Sequence, residues 1–328
     1  MTLVLAGCGV ATIDSGAPAS TVSGDPSSSS DPSSSSDSSS PGGSSDPTGS
    51  GTTSTGSGST DTTPPADTGS TTATSYTDFG AVGPSSVTTR TGTLRLPTCA
   101  LDYTEYLPDG DATAPLVVLQ HGFQRSRRNM ADLAEHAASH GLRVATPDAC
   151  HSSIFDVDHA LNGQEAAELA ASLAAGGPTV HAGYSAGGLA AVLAASHDPD
   201  AVGVLGLDPV DNDGLAAAAA GSLGVPIVAL FGEPNSCNER GSLAGPLDAA
   251  GAHLSGIPGA GHCDFESPTD GLCTLLCGGQ TGVTPVVATF IAAFSSWRLG
   301  LDPSGEDWVI PGGVRHQELV DAGLLTVL

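Results

Sequence analysis

The sequence predicts an α/β domain built on an open, mostly parallel sheet with helices on both faces. Three observations predict it. Short apolar runs alternate with helix-spaced stretches from about residue 84 onward. Those runs follow one another in strand–helix–strand order, which implies right-handed parallel crossovers. A Gly-x-Ser-x-Gly turn sits between one such run and the helix after it.

Taken in order, residues 85–96 and 100–107 alternate in polarity and read as an opening antiparallel pair. Residues 115–120 (PLVVLQ) form a continuous apolar run, as expected of a strand buried on both faces. Residues 129–140 carry Met130, Leu133 and Ala137 at helical spacing, Gly141 ends that helix, and 142–146 is the next strand. Then come a helix over 164–175, a strand over 179–182 and an Ala-rich helix over 186–196. Strands over 201–207, 225–231 and 253–257 follow, and a helix over 284–297 closes the sheet. Ligands of such sheets sit at the carboxyl ends of the strands. The tail after Leu301 has apolar patches around Trp308 and Leu324, with no functional reading attached.

Composition separates this domain, residues 76–328, from what precedes it. Residues 9–75 are almost entirely Ser, Thr, Gly, Asp, Pro and Ala, repeat variants of DPSSSS and hold no aromatic residue. Such a stretch cannot bury enough apolar surface to offset chain entropy, so it is expected to be a disordered tether. Residues 1–8 end in Leu5-Ala6-Gly7-Cys8, which resembles a bacterial lipobox, with Cys8 as the acylated residue. The run lacks a basic segment and is too short for a working signal. Either the start lies upstream of Met1 or the match is accidental. A lipid anchor plus polar tether implies an exported protein held at the cell envelope or surface.

The net charge is −26 and all nine basic residues are Arg. That balance argues against nucleic acid as a partner and disfavours polyanionic substrates. Apart from Cys8 there are six cysteines: Cys99, Cys150, Cys237, Cys263, Cys273 and Cys277. An even count suits up to three disulfides in an oxidising compartment. The close pair Cys273 and Cys277, with His262 nearby, raises a zinc site, but no second matching pair completes one. No metal is expected, and spacing leaves the disulfide pairing open.

The chemistry centres on Gly183-Tyr184-Ser185-Ala186-Gly187. A strand-to-helix turn this tight needs residues without side chains two before and two after the serine. It exposes the hydroxyl at the strand's end, beside a helix N-terminus that favours negative charge. A serine hydroxyl also needs a base, and the oxyanion it generates needs donors. The loop after PLVVLQ reads His121-Gly122-Phe123-Gln124, which assigns the oxyanion hole to the N–H groups of Phe123 and Ala186. His121 is read as a loop-orienting residue. Phe123 and Tyr184 are candidate residues lining the substrate cleft.

The stretch LVVLQHGFQRSRRNMADLAEHAASHGLRVATPD followed by GYSAGG resembles the plant chlorophyllases and the bacterial cutinase-like polyester hydrolases, members of the α/β-hydrolase fold. Gly206-Leu207-Asp208-Pro209-Val210 is similar to the chlorophyllase D-P-V segment, and the similarity runs over roughly residues 115–265. The resemblance implies ester hydrolysis by a Ser-Asp-His triad with no metal or organic cofactor.

Chain order in this fold is Ser, acid, His. Of His197, His253, His262 and His316, only His262 lies in a small-residue loop just past the last strand, so it is the expected base. For the acid, the D-P-V match selects Asp208, whereas more typical members place it after the next strand, where Glu233 stands. Asp211 is a third candidate, and Asp264 reads as a loop-capping carboxylate. The expected function is therefore a serine esterase, probed against two alternatives: a catalytically silent surface-binding module, or an amidase or peptidase using the same groups. A small or polymeric ester is the expected substrate, and the protein is expected to be a monomer.

Overall fold

The computed structural model describes residues 77–328. The expected tether, the lipobox and Cys8 lie outside the described residues. Apolar runs of five or six residues are too short to make core helices. They can be fully buried only as strands covered on both faces. In chain order the structure has β1 (Val87–Arg95), β2 (Ala100–Pro108), β3 (Leu116–Gln120), α1 (Ala131–Ser139) and β4 (Arg143–Pro147). A small hairpin of β5 (Ser152–Ser153) and β6 (Asp156–Val157) precedes α2 (His159–Ala174), β7 (Thr179–Tyr184), α3 (Ala186–His197) and β8 (Ala201–Leu207). Next come α4 (Leu215–Ala220), β9 (Ile227–Phe231), α5 (Ala244–Ala249), β10 (His253–Gly256) and α6 (Gly271–Cys277). The chain closes with α7 (Thr284–Arg298), α8 (Glu306–Val309), α9 (Val314–Asp321) and β11 (Thr326–Val327).

Nine strands form one sheet in the order β1-β2-β4-β3-β7-β8-β9-β10-β11. The run from β4 to β10 is parallel, and β1, β2 and β11 add antiparallel margins. Every residue of β3, β4, β7 and β9 is buried, whereas the edge strand β1 shows exposed Thr and Arg. A polar edge of this kind discourages pairing with another chain. One face is covered by α1 and α7, whose Leu133, Val287 and Phe290 pack on Val117, Val180 and Leu205. The other face is covered by α2 and α3, with α4 and α5 beyond them.

The chain leaves β3 through α1 to reach β4, then returns through α2 to β7 on the other side of β3. Loops after β3 and β7 therefore diverge, which opens a crevice at the carboxyl ends of these strands. Helix α2 begins at His159, earlier than its apolar spacing suggests, because Asp158 caps it by accepting the Leu161 N–H. The tail after Leu301 belongs to the fold. Trp308 meets Phe79 edge-on, Val309 and Leu325 are buried, and β11 pairs with β10.

A buried ion cluster ties β1, β2 and β4. Glu105 is buried on β2 and accepts from Arg90 Nε at 2.7 Å and Arg143 Nε at 2.6 Å. Burial pushes its carboxyl up, but the two guanidinium partners outweigh that and hold it below the ordinary range. Its stabilisation is complete above the unfolded pKa of about 4.3 and is lost as pH falls through the lowered folded value. Glu105→Gln, which leaves buried Arg143 without its carboxylate, should cost about 3 kcal/mol at neutral pH. Thermal melts should show that difference shrinking below about pH 4.

Candidate active site

Parallel strands end at one edge, so the residues just past β3, β7 and β8 converge there without further design. Ser185 occupies the turn between β7 and α3 with φ 56° and ψ −123°, a conformation side chains rarely adopt. Crowding explains the flanking glycines. A Cβ on Gly183 would lie 2.1 Å from the Gly187 carbonyl oxygen, and one on Gly187 would lie 2.5 Å from that of His121. The Ser185 N–H extends the sheet ladder by donating to Leu207 O at 3.0 Å.

His262 follows β10 in a 3-10 turn, His262–Phe265. Its Nε2 lies 2.9 Å from Ser185 Oγ and its Nδ1 lies 2.6 Å from Asp208 Oδ2. A carboxylate can only accept, so Nδ1 carries the proton and Nε2 is left to accept from the serine hydroxyl. All three side chains are buried: Ser185 and His262 are 3 % exposed and Asp208 is 0 % exposed. Asp208 directly follows β8 and has φ 45°. Pro209 explains the glycines that accompany it, because a Cβ on Gly188 or Gly206 would lie within 2.8 Å of its ring.

The other candidate acids are occupied elsewhere. Glu233 accepts the Gly259 N–H at 2.9 Å. Asp211 accepts the N–H groups of Ala216 and Ala217 in α4. Asp264 accepts from Gly261 and Thr281 and braces the loop that carries His262. Among the remaining histidines, His316 is buried against Ser255 with Nε2 2.9 Å from its hydroxyl, and His253 lies on β10. His197 ends α3, at the far end from Ser185.

The loop after β3 is held by His121. Its Nε2 accepts the Ala149 N–H at 3.0 Å, so its Nδ1 bears the proton and donates to Gly122 O at 2.8 Å. Burial also pushes its pKa down, so it stays neutral and orients the loop. Among the described residues the Phe123 N–H donates to no backbone carbonyl. Ala186, as the first residue of α3, has no carbonyl four residues back within the helix. Both donors are thus unspent beside Ser185.

Tyr184, expected to line the cleft, is 2 % exposed and belongs to the main core, with its ring 4.8 Å from that of His262. Phe123 is buried against Ala186, Val210 and Ile154. The elements tied to the loops of the site carry exposed apolar side chains, aliphatic as well as aromatic. Leu272, Leu275 and Leu276 are exposed on α6, and Phe155 is 92 % exposed at the tip of the β5–β6 hairpin. The hairpin is joined to the loop after β3 by Gln124 N–H donating to Ser152 O.

The six cysteines pair as Cys99–Cys150, Cys237–Cys277 and Cys263–Cys273. Cys273 and Cys277 therefore go to separate partners and offer no thiolate to a metal. The same holds for the cluster of Cys99, Cys150 and Glu165. Three disulfides point to an oxidising extracytoplasmic compartment. Among the described residues no helix is long and apolar enough to cross a membrane.

Residues missed from sequence are those that tie loops together. Arg125 Nε donates to buried Glu266 at 2.8 Å and Arg125 Nη1 to Asp270 at 2.8 Å, joining the loop after β3 to the loop after His262. Asn238 donates to both oxygens of Asp208 at 3.2 Å. An isolated Arg or Asn far from any motif carries no sequence signal of such a partner.

Overpacking a core usually costs about 1–3 kcal/mol. Gly187→Ala should exceed that range, because the three atoms nearest the added Cβ are all backbone and cannot rotate away. The loss is read as a lowered midpoint in thermal or denaturant unfolding. Compared with known proteins, the chain matches no protein-family model and no curated protein.

Proposed function

We propose that residues 77–328 form a serine hydrolase of carboxylic esters, of the α/β-hydrolase kind. One observation carries this reading: the hydrogen-bonded series Ser185–His262–Asp208, set beside two unspent backbone N–H groups. Such a series has a defined chemistry. His262 Nε2 takes the proton of Ser185 Oγ as the oxygen attacks the ester carbonyl. The tetrahedral oxyanion is held by the N–H groups of Phe123 and Ala186, helped by the amino end of α3. His262 returns the proton to the departing alkoxide, which leaves as alcohol, and an acyl-serine remains. Water, deprotonated by His262, attacks that acyl group, and Ser185 leaves with the proton. Asp208 orients the imidazole and stabilises its charged form without taking the proton.

The surroundings favour an uncharged ester with an apolar part. The protein is strongly acidic, and the residues of α6 from Gly271 to Cys277 include no charge. Its three exposed leucines sit one disulfide away from the residue after His262. We further propose that the domain is displayed at the cell envelope through a lipid on Cys8. Intact-mass analysis of the protein isolated from the membranes of its native host tests this, and an unmodified Cys8 overturns it.

Short p-nitrophenyl esters should be hydrolysed by the intact protein, and a fluorophosphonate probe should label Ser185. Ser185→Ala should lower kcat by at least about 10⁴-fold and abolish labelling. An intact protein that neither hydrolyses esters nor takes the probe overturns the reading in favour of a silent binding module. Leu275→Asp with Leu276→Asp should leave acetate esters nearly unaffected and weaken kcat/KM increasingly with acyl length. The penalty expected is up to about 0.8 kcal/mol per methylene that loses its apolar contact.

A further inference from the structure

Helix α6 is unusual in burying none of its residues. Hydrophobic packing therefore does not hold it. Two disulfides do: Cys273 to Cys263, the residue after His262, and Cys277 to Cys237, the residue before Asn238. The helix is thus a cross-link between the loop that presents His262 and the loop that presents Asn238. Both of these side chains contact the same carboxylate. Asp208 Oδ2 receives His262 Nδ1–H, Oδ1 receives the Gly232 N–H at 3.0 Å, and Asn238 Nδ2 lies 3.2 Å from each oxygen.

The orientation of the Asn238 amide is not arbitrary. Its Oδ1 accepts the Asn235 N–H at 2.8 Å, which turns Nδ2 toward Asp208 and the Glu233 carbonyl. Asn238 is itself buried, so this arrangement has no competition from bulk water. The Asn-Ser-Cys-Asn loop supplies both parts of it, because Asn235 Oδ1 accepts the N–H groups of Cys237 and Asn238 and closes the turn.

We infer that Asn238 is a positioning residue for Asp208, holding the carboxylate in line with His262, and that doubly stapled α6 fixes the distance between Asn238 and the imidazole. The catalytic meaning rests on the serine-hydrolase reading, while the geometry does not. In the native protein the amide donates to Asp208 at every pH. Asn238→Asp keeps size and the acceptor for Asn235, but turns an oxygen toward Asp208. Two carboxylates this close hold one proton well above the ordinary carboxylate range. Once that proton is bound, the introduced carboxyl donates to Asp208 as the amide did.

Asn238→Asp should therefore lower kcat on a soluble p-nitrophenyl ester about 10- to 100-fold at pH 8.5, the scale seen when a partner that orients a reactive group is lost. KM should stay within about twofold, and the ratio of variant to native kcat should recover as pH falls toward 5.5. Asn238→Ala should lose activity without that recovery. Circular dichroism and thermal melts check that both variants fold. A merely structural role predicts losses that are the same at every pH, and that result overturns the inference.

A second readout needs no turnover. The downfield proton NMR resonance of His262 Nδ1–H, identified by its absence in His262→Gln, should be displaced in Asn238→Asp from its native position at pH 8.5, and the displacement should shrink as pH falls toward 5.5. An unmoved resonance overturns the inference. A resonance that moves in a protein without esterase activity upholds it and overturns the hydrolase reading instead.

Discussion

The carboxyl edge of this sheet depends on one backbone turn that has no room for side chains beside it. Ser185 holds a positive φ that costs of the order of 1–3 kcal/mol, and it is kept there by what surrounds it. β7 is buried along its whole length between β3 and β8, and the Ser185 N–H is locked to Leu207 O. Gly183 and Gly187 are in van der Waals contact across the turn, while Gly187 also lies against the loop after β3. The crowding that excludes side chains therefore also sets how closely the loop after β3 approaches the turn.

The remaining groups ride on loops, and besides buried anchors such as Phe265 the structure holds these loops with long-range ties. Arg125 and Glu266 join the loop after β3 to the loop of His262. Disulfides join the His262 and Asn238 loops through α6. Pro209 packs against Gly188, so the chain leaving β8 is pinned to the start of α3 and Asp208 is aimed inward. Each tie closes a loop whose freedom would otherwise spread the reacting atoms over many arrangements. Two of the three disulfides join loops at the site.

The surface near the site contrasts with the rest of the chain. An acidic protein keeps exposed leucines on α6 and an exposed Phe155 on a hairpin, both attached to loops of the site. Leucines on a helix of seven residues look like ordinary core residues until the fold shows that no described residue covers them.

The order of strands and helices was legible in the sequence because buried parallel strands leave an unbroken apolar signature, and the 201–207 run matches β8 residue for residue. The Ser185 turn was legible for a similar reason: local sterics demand glycines at fixed spacing. Those constraints act over a few residues, so a linear reading can see them. The acid was different. The likeness of the D-P-V segment favoured Asp208, but nothing in the local pattern of the chain separates it from Asp211 and Glu233, and the positions of β8, β9 and the His262 turn bring Asp208 to Nδ1. Disulfide pairing, the exposure of α6, the burial of Tyr184 and the role of Asn238 likewise depend on which distant loops meet. The sequence by itself determined the sheet and its tight serine turn, through short-range packing and sterics. Tertiary structure alone decided which carboxylate, which cysteines and which amide surround that serine, because hydrogen bonds and cross-links between distant loops leave no periodic trace in the chain.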